Sequence, residues 1–432
     1  MRPADGARRL LTGTFLAAVR DVVDPERIYQ SLPETAALGR TVVVGGGKAA
    51  ATMAAACEMR LSDVTGLVVT RNGYGRPTKR IEVVEAGHPV PTLIGMTAAG
   101  RILDIAHGLT QGDRMICLIS GGASALLTLP VAGVSLNEKQ LLTTQLLRSG
   151  AAIEEINLVR RHLSLLKGGR LAAAAWPAEC HTIVVSDVVG DQLLSIGSGP
   201  TVFDPSSPED AAAILQKYQI DAAASINLHL GVDNSSLRPD HDRFDRCEYH
   251  LAARSRDALS AAAKFLGAAG YSVVDLGDAL TGNAAAVARH HADLARQMRD
   301  EGRRIAIISG GELTVTLGAT RGFGGPNQEY ALSAASHLRG LPGVTILSAD
   351  TDGCDGISVD GTDIAGAIVD SETLSRCMAL GLDPAAALER HDAGSVLRAT
   401  GDAFVTGPTG TNVNDLRIIL VDPCGDHPPQ RR

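Results

Sequence analysis

The chain has 432 residues, 45% of them hydrophobic, 20% charged and 3% aromatic, with 47 glycines and a formal net charge of −8. Length and composition describe a globular α/β protein of two domains and exclude a disordered or fibrous chain. Scarce aromatics and negative charge argue against stacking platforms and broad basic grooves for nucleic acid, and no apolar run approaches the ~18 residues that span a bilayer.

The first predicted element is a helix over ARRLLTGTFLAAVRDVV. The segment begins with arginines and is amphipathic, but Asp5 and Asp21 flank it and its apolar residues keep helical spacing, so a packed helix is expected and not a targeting peptide. From Thr41 onward, short β-branched runs alternate with helical patterns, the signature of βαβ units. TVVVG, GLVVT, IEVVEAG, RMICLIS and HTIVVS are the expected strands of the first half. MTAAGRILDIAHGL and NEKQLLTTQLLRSGAAIEEINLVRRHLSLL carry apolar residues three and four apart and are expected to be helical.

The polar stretch Gly231–His250 reads as a linker, which places a domain boundary after residue 240. Residues 1–240 are then a Rossmann-like domain with a mostly parallel sheet, and 241–432 a second α/β domain. In the second half YHLAA, YSVVDLG, RRIAIISGG, LTVTLG, GVTILSAD and LRIILVD are expected strands, and SRDALSAAAKFLGAAG and GNAAAVARHHADLARQMRDEG expected helices. RRIAIISGGELTVTLG leaves no room for a crossover helix between its strands, so the second sheet should be mixed. The seven cysteines, Cys57, Cys117, Cys180, Cys247, Cys354, Cys377 and Cys424, are odd in number and widely spread, and read as reduced thiols of a cytoplasmic protein.

Several loops carry residues suited to chemistry. In TVVVGGGKAAATMAAACEM, Gly45 and Gly47 fit the first two positions of a dinucleotide fingerprint and Ala50 the third. The next strand ends in Thr70 and Arg71 where a ribose-binding acid is needed, which disfavours NAD and leaves only Arg71 as a partner for an NADP phosphate. A Walker loop also fails, because Val42 stands at its first glycine and Ala49 follows Lys48. What survives is a glycine turn, Gly45, Gly46 and Gly47, at a helix amino terminus with a cation added, which suits a phosphate-bearing group.

VVSDVVGDQLLSIGSGPT places Asp187 and Asp191 beyond a strand, ahead of Gly197, Ser198, Gly199 and Pro200. Such carboxylates suit Mg²⁺ bridging to phosphate or acceptance of a hydroxyl proton, or they cap a turn and stay solvated. SADTDGCDG, with Asp350, Asp352 and Asp355, looks like a calcium loop, but the twelfth position is Gly361 and a strand precedes it, so a turn device is the blander reading. Glu312 follows a second Ser-Gly-Gly, and the glycine-rich loop from Gly322 to Gly325 leads into a helix that Pro326 opens. The loop bearing Thr406, Thr409, Thr411, Asn412 and Asn414 is either a hairpin or a set of neutral donors for a hydroxylated ligand. His88 reads as a structural histidine, and no Ser, His, Asp order supports a hydrolase.

Taken together, GGGKAA, EAGHPVP, LISGGASALL, LSLLKGGRLA, VVSDVVGD, IGSGPT, ISGGELTVT, GGPNQE, DTDGCDG and TGPTGTNVND resemble, in family order over nearly the whole chain, the class II glycerate kinases. Bacterial members of that family are often labelled hydroxypyruvate reductase, and its carboxyl-terminal part is called the MOFRL domain. The resemblance implies two α/β domains with the active site in the cleft between them, and transfer of the ATP γ-phosphoryl group to D-glycerate, giving 2-phosphoglycerate. It makes Lys48 the main cation against phosphate. Ser120, Gly121, Gly122, Ser198, Gly199 and Glu312 join the glycine turn around the nucleotide. Beyond what the resemblance implies, the residues themselves suggest that Asp187 or Asp191 positions Mg²⁺ or the attacking hydroxyl, that Asp352 is a further metal ligand, and that Arg170, Asn327 and Asn412 meet substrate.

Many relatives read GGRNQE where this chain has GGPNQE, so Pro326 replaces an arginine and Arg321 is the expected substitute. The expected partners are small-molecule substrates, with neither nucleic acid nor membrane, and a homodimer is allowed. Two rival readings stay open: an NAD(P)H-dependent hydroxypyruvate reductase, and a non-catalytic module that binds sugar phosphates or nucleotides.

Overall fold

The computed structural model describes residues 3–231, 241–299, 301–316, 322–339, 341–357 and 361–423. Their contacts define two compact units, and the division differs from the expected one at residue 240. One unit runs from Asp24 to Ala253; the other joins the residues up to Val23 to those from Arg254 onward.

Two local causes move the boundary. The strand that follows the linker completes the first sheet, and the first helix belongs to the second unit. In that helix, Pro3–Val22, Arg8 pairs with Asp370 and Asp402, Phe15 meets Phe404 edge-on at 5.1 Å, and Gly13 lies against Phe265. Residues 232–240 of the expected linker lie outside the described residues.

In the Asp24–Ala253 unit the strands are β1 (Thr41–Gly46), β2 (Val64–Arg71), β3 (Ile81–Ala86), β4 (Arg114–Ser120), β5 (Glu179–Val185) and β6 (Cys247–Ala253). They form one parallel sheet in the order β3-β2-β1-β4-β5-β6. β1 and β4 are buried on both faces, as parallel strands under helices must be, and their β-branched runs fit that double burial. The strand order reverses direction between β1 and β4, and the carboxyl ends at such a switch point are where open α/β sheets bind ligands.

The long helical stretch expected after residue 136 breaks in two, Leu136–Arg148 and Ile153–His162. The left-handed Gly150 (φ +77°) separates them. With Pro208–Lys217 and Ala224–Gly231 they form a helical layer around Leu142, Leu146, Ile156, Val159 and Ile214.

The other unit contains β7 (Ser272–Asp275), β8 (Gly282–Asn283), β9 (Ile305–Ser309), β10 (Leu313–Thr314), β11 (Val344–Asp350), β12 (Gly366–Asp370), β13 (Ala403–Phe404) and β14 (Asp415–Val421). Its main sheet, β13-β12-β11-β14-β9-β7, is mixed as expected: β7 and β9 are parallel and every other pair antiparallel. The reason differs from the expected one. β9 and β10 do not pair, and β10 turns away to a short ladder with β8. The loop before β14 is not a hairpin either, because β12 and β11 lie between β13 and β14.

No helix among the described residues is long and apolar enough to cross a membrane. None of the six cysteines among them forms a disulfide.

Candidate active site

The glycine turn after β1 and the Ser-Gly-Gly turn after β4 lie side by side at the switch point. Lys48 N donates to Gly121 O at 2.8 Å and Ala49 N to Ser120 Oγ at 3.0 Å. Gly47 (φ +136°) is required there, since any Cβ would overlap the Ser120 hydroxyl. At Gly122 (φ +82°) a Cβ would stand 3.0 Å from the His88 ring and 3.4 Å from Lys48 Cγ. The His88 imidazole and the Lys48 stem therefore flank one bare backbone position, and His88, set aside in the sequence, belongs to this group.

Two further loops close on it. Gly197 packs against Ile119 and Ala123, and the Ser124 and Ser198 hydroxyls are 2.7 Å apart. Gly168 N and Gly169 N then donate to Ser198 O and Gly199 O, which straps the Lys-Gly-Gly-Arg segment 167–170 to the Gly197–Gly199 turn. The expected residues Gly45, Gly46, Gly47, Lys48, Ser120, Gly121, Gly122, Ser198 and Gly199 are thus brought together.

The strapped segment carries what sequence reasoning missed. Lys167 is fully buried and its Nζ has no hydrogen-bond partner. Burial, then Arg160 and Lys139, hold its pKa well below the usual lysine range. Lys139 donates to Leu163 O at 2.7 Å and is pushed down to about 7 by burial, with Arg160 and Arg170 adding to the shift. Arg160 reaches Ser124 O at 3.4 Å, and burial lowers its pKa too.

Arg170, expected to meet substrate, gives one guanidinium nitrogen to Arg161 O and Lys167 O, while its buried Nε has no partner. Asp204 is already taken by Arg161, at 2.6 Å. Burial lowers the pKa of Lys139, Arg160, Lys167 and Arg170 alike, Arg160 lowers both lysines further, and Asp204 offsets part of the shift of Arg170, so a cationic cluster with a single nearby carboxylate is held out of water, an arrangement that costs free energy unless an anion completes it. The legible signal was a lysine set in an apolar run, LSLLKGGR, and released by two glycines.

Asp187 and Asp191 lie half-buried on the loop after β5, Asp191 with a left-handed backbone (φ +52°). As carboxylates at a strand's carboxyl end they supply the oxygen donors that Mg²⁺ prefers. Arg71, the residue left for NADP, is engaged elsewhere: its guanidinium donates to Tyr74 Oη at 3.1 Å and stacks on that ring.

In the other unit Asn327 sits in a buried hydrogen-bond network with Ser348, Asp355 and Asp415. Asn327 is buried; its Oδ1 accepts from Ser348 at 2.6 Å and its Nδ2 donates to Asp415 at 2.7 Å and Asp355 at 3.3 Å. Both ends of the amide are used inside the unit. Asp355 accepts the backbone N–H of Asn327 and Gln328 and caps the helix Pro326–His337, which Pro326 opens as expected. Burial and the neighbouring Asp415 push the Asp355 carboxyl up to about 7. Asp415 is in turn paired with the fully buried Arg417 at 3.0 Å.

Asp352 is buried and its Oδ1 accepts from Cys354 N at 2.6 Å, the turn-forming role that the sequence left open. Asn412 is buried with its Oδ1 accepting from Asn414 N, and Glu312 is exposed. Arg321 lies outside the described residues.

Comparison with known proteins accords with this geometry. A family model described as a domain of unknown function (DUF4147) matches residues 10–231, and the MOFRL family model matches residues 305–415. A protein of Agrobacterium vitis, provisionally named a hydroxypyruvate reductase, is 44% identical over 96% of this chain and 94% of its own. The D-glycerate 2-kinase of Thermotoga maritima is 40% identical over 93% of this chain and 95% of its own. A crystal structure of glycerate kinase from Thermotoga maritima covers 96% of this chain and 100% of its own, with a TM-score of 0.83 at 38% identity. The chain belongs to the class II glycerate kinase family, the group that carries the MOFRL domain.

Proposed function

We propose that the chain is a glycerate kinase that transfers the γ-phosphoryl group of ATP, with Mg²⁺, to the 2-hydroxyl of D-glycerate. Relatives named glycerate 2-kinase, alike over nearly their whole length, support the reaction class. The observation that carries the reading in this chain is the cluster of buried basic side chains, Lys139, Arg160, Lys167 and Arg170, beside two glycine turns.

In this reading Lys48 and the backbone at Gly122 hold the transferring phosphoryl group, where fixed donors stabilise charge without reorganisation. Lys167 and Arg170, helped by Arg160, hold the glycerate carboxylate and orient its hydroxyl. Asp187 takes the hydroxyl proton as the new P–O bond forms and ADP leaves. Asp187 and Asp191 would hold Mg²⁺, which neutralises phosphate charge when bound. His88 fixes the position of the Lys48 stem across Gly122.

Incubation with D-glycerate, ATP and Mg²⁺, and in parallel with hydroxypyruvate and NAD(P)H, tests the proposal by ³¹P NMR. A phosphomonoester on the second carbon with no cofactor oxidation is expected. Cofactor oxidation without phosphoryl transfer would sink it, and the engagement of Arg71 by Tyr74 argues against that outcome.

A further inference from the structure

At the opposite end of β5 from Asp187 three side chains converge that this chemistry does not use. His181 is the third residue of β5, about 20 Å from Asp187 at roughly 3.3 Å per residue of strand. Glu248 is its register partner on β6, and His250 stands opposite Ile183, so all three share one face of the ladder at the sheet edge. His181 Nδ1 lies 3.2 Å and His250 Nε2 3.6 Å from the same oxygen, Oε2 of Glu248. Among the described residues these are the one set of three such side chains whose ligand atoms lie within 4.8 Å of one another.

We infer that His181, Glu248 and His250 form a site for a late first-row divalent cation of the zinc class, separate from the phosphoryl-transfer centre. Metal bonds of ~2.0–2.1 Å in tetrahedral geometry place ligand atoms about 3.3 Å apart, close to both separations found here. The Nδ1 of His181 is buried and, although 3.2 Å from the Glu248 carboxylate, does not meet it in hydrogen-bond geometry. The other ring nitrogen of His181 faces Glu179 at 3.9 Å, and Glu179 is held by Arg114 and Arg246. A carboxylate behind the ring is how metal-binding histidines are oriented.

Two imidazoles and one carboxylate select zinc-class ions over Mg²⁺, which takes oxygen donors. Glu248 is 63% exposed, so the remaining position is open to water. Bound there, the ion clamps the edge strand β6 to β5.

Titration of the full-length protein with Zn²⁺ by calorimetry, with Co²⁺ as an absorption probe, tests the site. Expected are one equivalent bound in the presence of excess Mg²⁺, and a rise in melting temperature. Cobalt should show visible ligand-field bands without a thiolate charge-transfer band. His250→Ala and Glu248→Gln, at partly exposed edge positions that leave the fold intact by circular dichroism, should each weaken binding by at least about tenfold. No uptake, a thiolate signature, or an affinity unchanged from the parent protein in either variant would overturn the inference.

Discussion

In the unit that begins at Asp24, Lys139, Arg160, Lys167 and Arg170 are taken largely out of water with like charges facing one another. In the other unit Asp355, Asp415 and Arg417 are buried as deeply, but each is hydrogen-bonded, with Asn327, Gln328 and Ser309 as partners. The two arrangements have different physical meanings. A buried charge with its partners in place is architecture, while several buried charges of one sign mark a place kept for a ligand of the other.

Breaking the active centre should have the largest effect. Lys48→Ala is expected to lower kcat for glycerate phosphorylation by about 10²- to 10³-fold with the melting temperature unchanged. Full activity in a folded protein would remove the glycine turn from the reaction.

A matched pair of substitutions sharpens the contrast. Arg417→Met leaves Asp415 buried without its partner and should cost about 3–5 kcal/mol of stability by chemical denaturation. Lys167→Met removes a buried amine that makes no hydrogen bond among the described residues, so stability should hold or rise while KM for glycerate increases at least about tenfold. If Lys167→Met unfolds the protein instead, the lysine is structural and the contrast fails.

The pH dependence of the two regions runs in opposite directions. Lys139 titrates at about 7 when folded and near its ordinary 10.5 when unfolded. Between those values the unfolded chain binds more protons, so this group makes stability rise with pH, a gain that Lys139→Met should lack. Asp355 titrates at about 7 folded against an ordinary 3.8. Between those values the folded chain holds the extra proton, so this group makes stability fall as pH rises, and Asp355→Asn should flatten that fall. Urea midpoints across pH 4–10 measure both.

The smallest effect belongs to Arg71. Arg71→Ala should change kinase kinetics by no more than about twofold, because its guanidinium is hydrogen-bonded to Tyr74 and stacked on that ring.

Much of this was legible in the chain itself. Period-two and β-branched runs marked β1 to β5, and the glycines around Lys48 marked a turn open to phosphate, because strand burial and positive φ are demands that single residues satisfy or fail. The sequence also announced Pro326 as a helix start, since a missing N–H matters only in its own first turn.

Other features depended on distant partners. That β10 leaves β9 for β8, some 31 residues earlier, and that the first helix joins the second unit through Arg8, Asp370 and Asp402, more than 360 residues away, follows from pairings that no local pattern encodes. The same holds for function. By itself the sequence determined which loops are rich in glycine and charge; only tertiary structure decided that Asn327 is enclosed, that His88 lies beside Lys48, and that Lys167 has no partner. Burial and charge compensation are properties of the whole surroundings of a side chain, and those surroundings exist only once the chain has folded.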